Sequence, residues 1–256
     1  MTVTIGIPHY GDNGMLRQCV KSLLDQTYPD IRIIVVVDGG PRAMLPRDSR
    51  IDVVHVGKNR GAYFCRAVAL AATSSKYHAV VDSDDWVEPD WLDTMMSTMG
   101  DTGAVQHGSR LEAMQGRSPR AAKWVRARQE PSSIFTHFTS HTGVYETQRI
   151  INAGGYSPNY RTSYDSLLNG ILRLQGEVAI CDRALYHRRI HSESLTQRPE
   201  TRLRSDYRER VRQRLREAWD LAWKYRDIPG SSKAVALSLT PDTMWSEVRH
   251  WANKVK

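Results

Sequence analysis

Three carboxylates fall within four residues at Asp82-Ser83-Asp84-Asp85. Such groups repel one another, so a cluster of them calls for a compensating cation. A hard divalent ion held by one or two carboxylates and by the phosphates of a nucleotide meets that need. The plain alternative is a solvated turn in front of a helix at Pro89. Position favours the metal, because the cluster directly follows the strand expected at residues 77–81 of an alternating sheet. Asp38 also ends a β-branched run and could accept the imide or amino hydrogens of a nucleobase, or simply form the turn before Gly39. Tyr10 could lie along a base face or pack at a strand end. Arg66 could reach a phosphate or a base carbonyl, or stand at the surface.

Elements that would position these groups alternate along the first hundred residues. Strands are expected at residues 2–8, 31–37, 51–56, 77–81 and 103–106, and helices at 14–26, 60–74 and 89–99. The β-α-β order predicts an open, mostly parallel α/β sheet with helices on both faces. Ligands of such sheets gather at the carboxyl ends of the strands. Residues 8–12, 38–40, 58–61 and 82–85 all fall there. Further on, a strand at 133–141, helices at 146–153 and 163–174, and strands at 178–181 and 185–190 are expected. Beyond Pro199, apolar residues from Leu203 to Trp223 and from Trp245 to Val255 keep helical spacing, with a Pro229-Gly230-Ser231-Ser232 break between them.

The 256 residues, 40% hydrophobic and 25% charged, exclude a disordered tail, a collagen-like repeat and a small disulfide scaffold. Cys19, Cys65 and Cys181 share no metal-like or disulfide-like spacing, which suits a reducing compartment. No apolar run approaches the ~18 residues of a membrane span, so a cytoplasmic protein with at most peripheral membrane contact is expected. Net charge is +8, and residues 151–256 carry most of it, with 19 Lys and Arg against 12 Asp and Glu.

Taken in order, Ile7-Pro8-His9-Tyr10, Gln26-Thr27-Tyr28-Pro29, the run Ile33-Ile34-Val35-Val36-Val37-Asp38-Gly39-Gly40, Asn59-x-Gly61, Arg66 and Asp82-Ser83-Asp84-Asp85 resemble the opening of the family 2 glycosyltransferases, which adopt the GT-A (Rossmann-like) fold. Gly154-Gly155-Tyr156 with Tyr164-Asp165 resembles that family's second motif. The segment from Tyr186 to Thr196 resembles the one that closes over the diphosphate. The resemblance spans about residues 2–196 and implies Asp165 as catalytic base. It also implies Pro8, Tyr10, Asp12, Asp38, Asn59, Gly61, Arg66, Asp82, Ser83 and Asp84 around the donor nucleotide. Asp84, Asp85 and His191 would hold Mn²⁺ or Mg²⁺. Departures are Val37 for the first aspartate of a frequent pair, Gly11 for asparagine, Ala67 after Arg66, and Tyr164 for an acidic residue. No Gln-x-x-Arg-Trp occurs, so a non-processive enzyme is expected.

The implied activity is metal-dependent, inverting transfer of a sugar from a nucleoside diphosphate sugar, with UDP favoured, to an acceptor hydroxyl on a glycan, a lipid-linked sugar or a protein. The rivals are a nucleotidyltransferase, which should show a Gly- and basic-rich loop where residues 8–12 stand, and a non-catalytic binding module for nucleotide sugars or nucleic acid. Residues 1–198 form the expected GT-A domain, with a nucleotide-sugar half at 1–107 and an acceptor and base half at 108–198. Residues 199–256 form a basic helical extension. That extension could dock on the domain, join a homo-oligomer or meet a lipid surface.

Overall fold

The computed structural model describes residues 1–114, 118–123, 142–199, 201–202 and 204–255. The order is β1 (Val3–His9), α1 (Asn13–Leu24), β2 (Ile31–Asp38), β3 (Ile51–Val56), α2 (Ala62–Ala71), β4 (Tyr77–Val80), β5 (Trp86–Val87), α3 (Trp91–Met99), β6 (Ala104–His107), β7 (Ser109–Met114) and β8 (Arg120–Lys123). Then follow β9 (Gly143–Glu146), α4 (Thr147–Asn152), α5 (Tyr164–Leu174), β10 (Ala179–Cys181), β11 (Tyr186–Ile190), α6 (Asp206–Lys224), α7 (Ser231–Ser238) and α8 (Asp242–Ala252).

Seven strands form the main sheet in the order β10-β6-β9-β4-β1-β2-β3. β1, β2, β3 and β4 run parallel, as do β6 and β10, while β9 lies antiparallel between β4 and β6. A strand covered on both faces needs apolar residues on both, which is why β2 shows no alternation. Ile33, Val35 and Val37 enter the core beneath α1 and α3, whereas Ile34 and Val36 enter the core beneath α2 and α5. A smaller sheet, β5-β11-β7-β8, stands beside the main one. β9 therefore joins the two expected halves of the domain through one sheet.

Three expectations need correction, and one lies out of reach. Residues 120–123, which gave no element from sequence, form β8, and the break expected at Pro229-Gly230-Ser231-Ser232 is shorter than that, because α7 already begins at Ser231. Glu146, expected at a helix start, ends β9. The strand expected at 133–141 lies outside the described residues.

The extension packs onto the domain itself. Val211, Leu215, Ala218 and Trp219 of α6, Ala236 of α7 and Val248 of α8 are buried in the same core as α2 and α5. The fit is close at Gly170, where a Cβ would stand 2.5 Å from the Trp219 ring. Gly170→Ala should therefore cost about 1–3 kcal/mol by overpacking. An unchanged melting temperature would show that α6 is not seated there.

His78 of β4 is fully buried, 3.0 Å from Thr73 Oγ1 through Nδ1, and burial pushes its pKa down from 6.5 to about 3. The unfolded chain binds this proton more readily, so stability is lost as pH falls below about 6.5 and continues to fall towards about 3. Urea midpoints between pH 7 and 4 should show a shallower fall in His78→Gln than in the wild type. Parallel curves would remove His78 as a source of acid sensitivity.

Candidate active site

At the end of β4 the acidic cluster divides into distinct environments. Asp82 is ion-paired to Arg66, with Nη2 to Oδ1 at 2.6 Å. Asp84 is half-buried and its Oδ2 lies 2.9 Å from His191 Nε2. Asp85 is 4% exposed, and both its oxygens are engaged by β11. The Tyr186 hydroxyl donates to Oδ2 at 2.7 Å, and the Arg189 amide donates to Oδ1 at 2.8 Å. Burial, then the charges of Asp84 and Asp82, push the Asp85 carboxyl well above the usual carboxylate range. The antiparallel pairing of β5 with β11, Tyr186 opposite Val87, explains why β11 reaches this loop.

One oxygen from each of Asp82, Asp84 and Asp85 lies within 4.8 Å of the others. Three carboxylates and an imidazole at the mouth of a parallel sheet fit a hard divalent cation. The structure brings Asp84 and His191 together and sets Asp85 behind them, against β11.

Burial alone would lower the Arg66 value, yet Asp82 and Tyr63 hold it above its ordinary range. Its guanidinium sits over the Tyr63 ring, 4.8 Å from the centroid. The Tyr63 hydroxyl in turn donates to Asp165 Oδ1 at 2.6 Å and accepts the Asp165 amide at 3.1 Å. Asp165 occupies the first turn of α5 and is half-buried. A continuous chain of contacts, Asp82 to Arg66 to Tyr63 to Asp165, thus links the acidic cluster to the expected base.

On the nucleotide side, Asp38 is 3% exposed and accepts the backbone amides of Arg60 at 2.6 Å and Gly61 at 2.7 Å. It shapes the loop before α2, where Gly61 has a positive φ of 97° and helix formation starts only at Ala62. Asn59 in that loop accepts from Arg161 Nη1 at 2.9 Å. Tyr10 is 52% exposed, with its ring beside Gly40. Pro8 is buried in β1, and Ser83 lies half-buried between Asp82 and Asp84. Asp12 is the N-cap of α1 and accepts from the Gly14 and Met15 amides, which lower its pKa. Its side chain is therefore committed to the helix end.

Tyr63, Arg161 and the residue-by-residue use of β11 were missed from sequence. Tyr63 has a faint sequence signal, three residues before Arg66 and therefore on the same helix face. Trp86 stacks on His187 with 4.7 Å between centroids and also carries Arg189 at 4.8 Å, which further fastens β5 to β11.

The family model Glycosyl transferase family 2 matches residues 4–195. The "Putative glycosyltransferase EpsH" of Bacillus subtilis (strain 168) is 34% identical over 106 residues, 39% of this chain and 30% of that protein. The chain likewise spans only 14% of "Glycosyltransferase GlyA" and 33% of "Glycosyltransferase GlyG" of Streptococcus pneumoniae. S. aureus TarS 1-349 in complex with UDP superposes with a TM-score of 0.64 at 17% identity, over 100% of this chain and 76% of that one. TarS 1-349 in complex with UDP-GlcNAc gives 0.58 at 16% identity, over 97% and 79%. With the GT-A architecture and the family match over most of its length, the chain belongs to glycosyl transferase family 2.

Proposed function

We propose that this chain transfers a sugar from a UDP-sugar to an acceptor hydroxyl, in a single inverting displacement that depends on Mn²⁺ or Mg²⁺. The observation that carries the reading is the contact chain from Asp82 through Arg66 and Tyr63 to Asp165, with Asp84 and His191 beside its acidic end. The UDP and UDP-GlcNAc bound to TarS support the choice of donor.

Asp84 and His191 would hold the ion, with Asp85 and β11 fixing the loop that presents them. When bound, the ion supplies Lewis-acid neutralisation of the charge that develops on the leaving diphosphate. Asp165 takes the proton of the acceptor hydroxyl while that oxygen bonds to the anomeric carbon and the bond to the diphosphate breaks. One displacement reverses the anomeric configuration. Tyr63 orients the base through its hydroxyl. Asp38 and Gly61 shape the nucleotide side, and exposed Tyr10 offers a face for the base. The acceptor is a hydroxyl of a glycan, a lipid-linked sugar or a protein.

The extension covers its own domain, and no helix among the described residues is long and apolar enough to cross a membrane. The apolar side chains left outside on α6, α7 and the connection between them, Leu221, Tyr225, Ile228 and Leu237, are where a second subunit or a lipid surface would be met. Calorimetry of UDP with and without Mn²⁺, followed by a donor-hydrolysis screen of nucleotide sugars, tests the reading. Metal-dependent UDP binding with turnover is expected. Binding without turnover would favour the binding module, and pyrophosphate release from a nucleoside triphosphate would favour the nucleotidyltransferase.

A further inference from the structure

Arg208, in the first turn of α6, is only 8% exposed. Its Nε donates to the Thr201 carbonyl at 2.8 Å, and its Nη2 reaches the Leu195 carbonyl at 3.5 Å. A guanidinium has five donors, and the rest of this one have no partner among the described residues. Burying an arginine charge without a counter-charge is costly, and proteins normally pair such a group. Arg66, which is more deeply buried, has Asp82 at 2.6 Å. Among the described residues, Arg208 has no carboxylate within ion-pair distance. The charged and ionisable groups that act on it are Asp165 and Tyr63, and two further cations, Arg212 and Arg188. Arg188 reaches towards the same segment, donating to Thr196 Oγ1 at 2.9 Å.

We propose that Arg208 is a substrate-binding residue that the C-terminal extension supplies to the active site, where it takes an oxyanion beside Asp165. The planar fork of arginine binds two oxygens of a phosphate or carboxylate at once, and the nearby arginine charges favour the same class of ligand. That oxyanion has two sources, the terminal phosphate of the donor diphosphate or an anionic group on the acceptor. The assignment of site and donor rests on the proposed function, but the anion site itself can be read without it. The arrangement also explains why α6 grips residues 195 and 201, because the segment they belong to starts at His191.

The test uses the full chain as wild type, Arg208→Gln and Arg208→Lys, with calorimetry of UDP, UMP and inorganic phosphate in Mn²⁺ and a melting curve for each variant. A charge-assisted bidentate contact predicts that Arg208→Gln weakens UDP about tenfold or more relative to UMP, with part of the loss restored in Arg208→Lys. That result places the donor's terminal phosphate on Arg208. If UDP is unchanged while the wild type binds inorganic phosphate and Arg208→Gln does not, the oxyanion is the acceptor's. A folded Arg208→Gln that matches the wild type towards all three probes overturns the proposal, as does a fall in melting temperature alone. A wild type that binds phosphate through Arg208 but not UDP would sink the UDP-sugar reading and leave the anion site standing.

Discussion

Asp165→Asn should lower sugar transfer by about 10²–10⁴-fold, the range a positioned general base contributes, while metal-dependent UDP affinity stays as in the wild type. The base acts on the acceptor proton, and its carboxylate lies on α5, separated from the acidic cluster by Tyr63 and Arg66. Asparagine can still accept from the Tyr63 hydroxyl, so the local geometry has every reason to survive. Tyr63→Phe should give a smaller loss of transfer, because it removes the orienting bond and leaves the base. Initial rates with a competent acceptor, measured beside UDP titrations of the same preparations, check both. An Asp165→Asn enzyme with full transfer would remove Asp165 from the chemistry.

The second large effect is expected at Asp84. Asp84→Ala should weaken UDP binding in Mn²⁺ by about tenfold or more, by analogy with the loss seen when a metal site is disturbed, and should leave binding in EDTA alone. Asp85→Asn separates the two neighbours. If Asp85 stands behind the site, this variant lowers the melting temperature through Tyr186 and Arg189 and affects UDP less than Asp84→Ala does. Matching losses in Asp84→Ala and Asp85→Asn would make Asp85 a ligand in its own right. Matching losses of UDP affinity in Asp84→Ala and Asp165→Asn would contradict the division between metal and base.

Much of the N-terminal half can be read from the chain because its central strands β1, β2 and β4 are buried on both faces. Such strands are written as near-continuous β-branched runs, as from Ile31 to Val37, and turn residues mark their ends. Strands of the second half carry no such signature. Gly143-Val144-Tyr145-Glu146 is four residues long and runs straight into α4, so its one charged residue suggests the start of that helix. β7 and β8 mix charged and apolar residues and are held by pairing rather than by a shared apolar face. α7 is short and weakly amphipathic, and the Pro229-Gly230 pair before it, followed by two serines, looks like a break. Within the site, residue types are visible but directions are not. Nothing in Asp84-Asp85 tells which carboxylate faces His191 and which faces Tyr186, since that depends on β11, a hundred residues later. Asp12, read from sequence among the donor-nucleotide residues, instead caps α1, a role that an aspartate just ahead of a helix readily takes.

The antiparallel insertion of β9 also governs the order in which the molecule can be completed during synthesis. β1 to β4 emerge first and can pair among themselves, but the free edge of β4 receives its neighbour only when residues 143–146 have been made. At about 5–20 residues per second, the stretch between β4 and β9 takes on the order of three to thirteen seconds to translate. Through that interval β4 presents unpaired backbone donors and acceptors, with Ala79 and Val80 on an apolar ribbon that the finished fold buries completely. The nascent first half is thus a natural client for a chaperone, and a chain released before residue 146 would be a seed for edge-to-edge association rather than a smaller working domain.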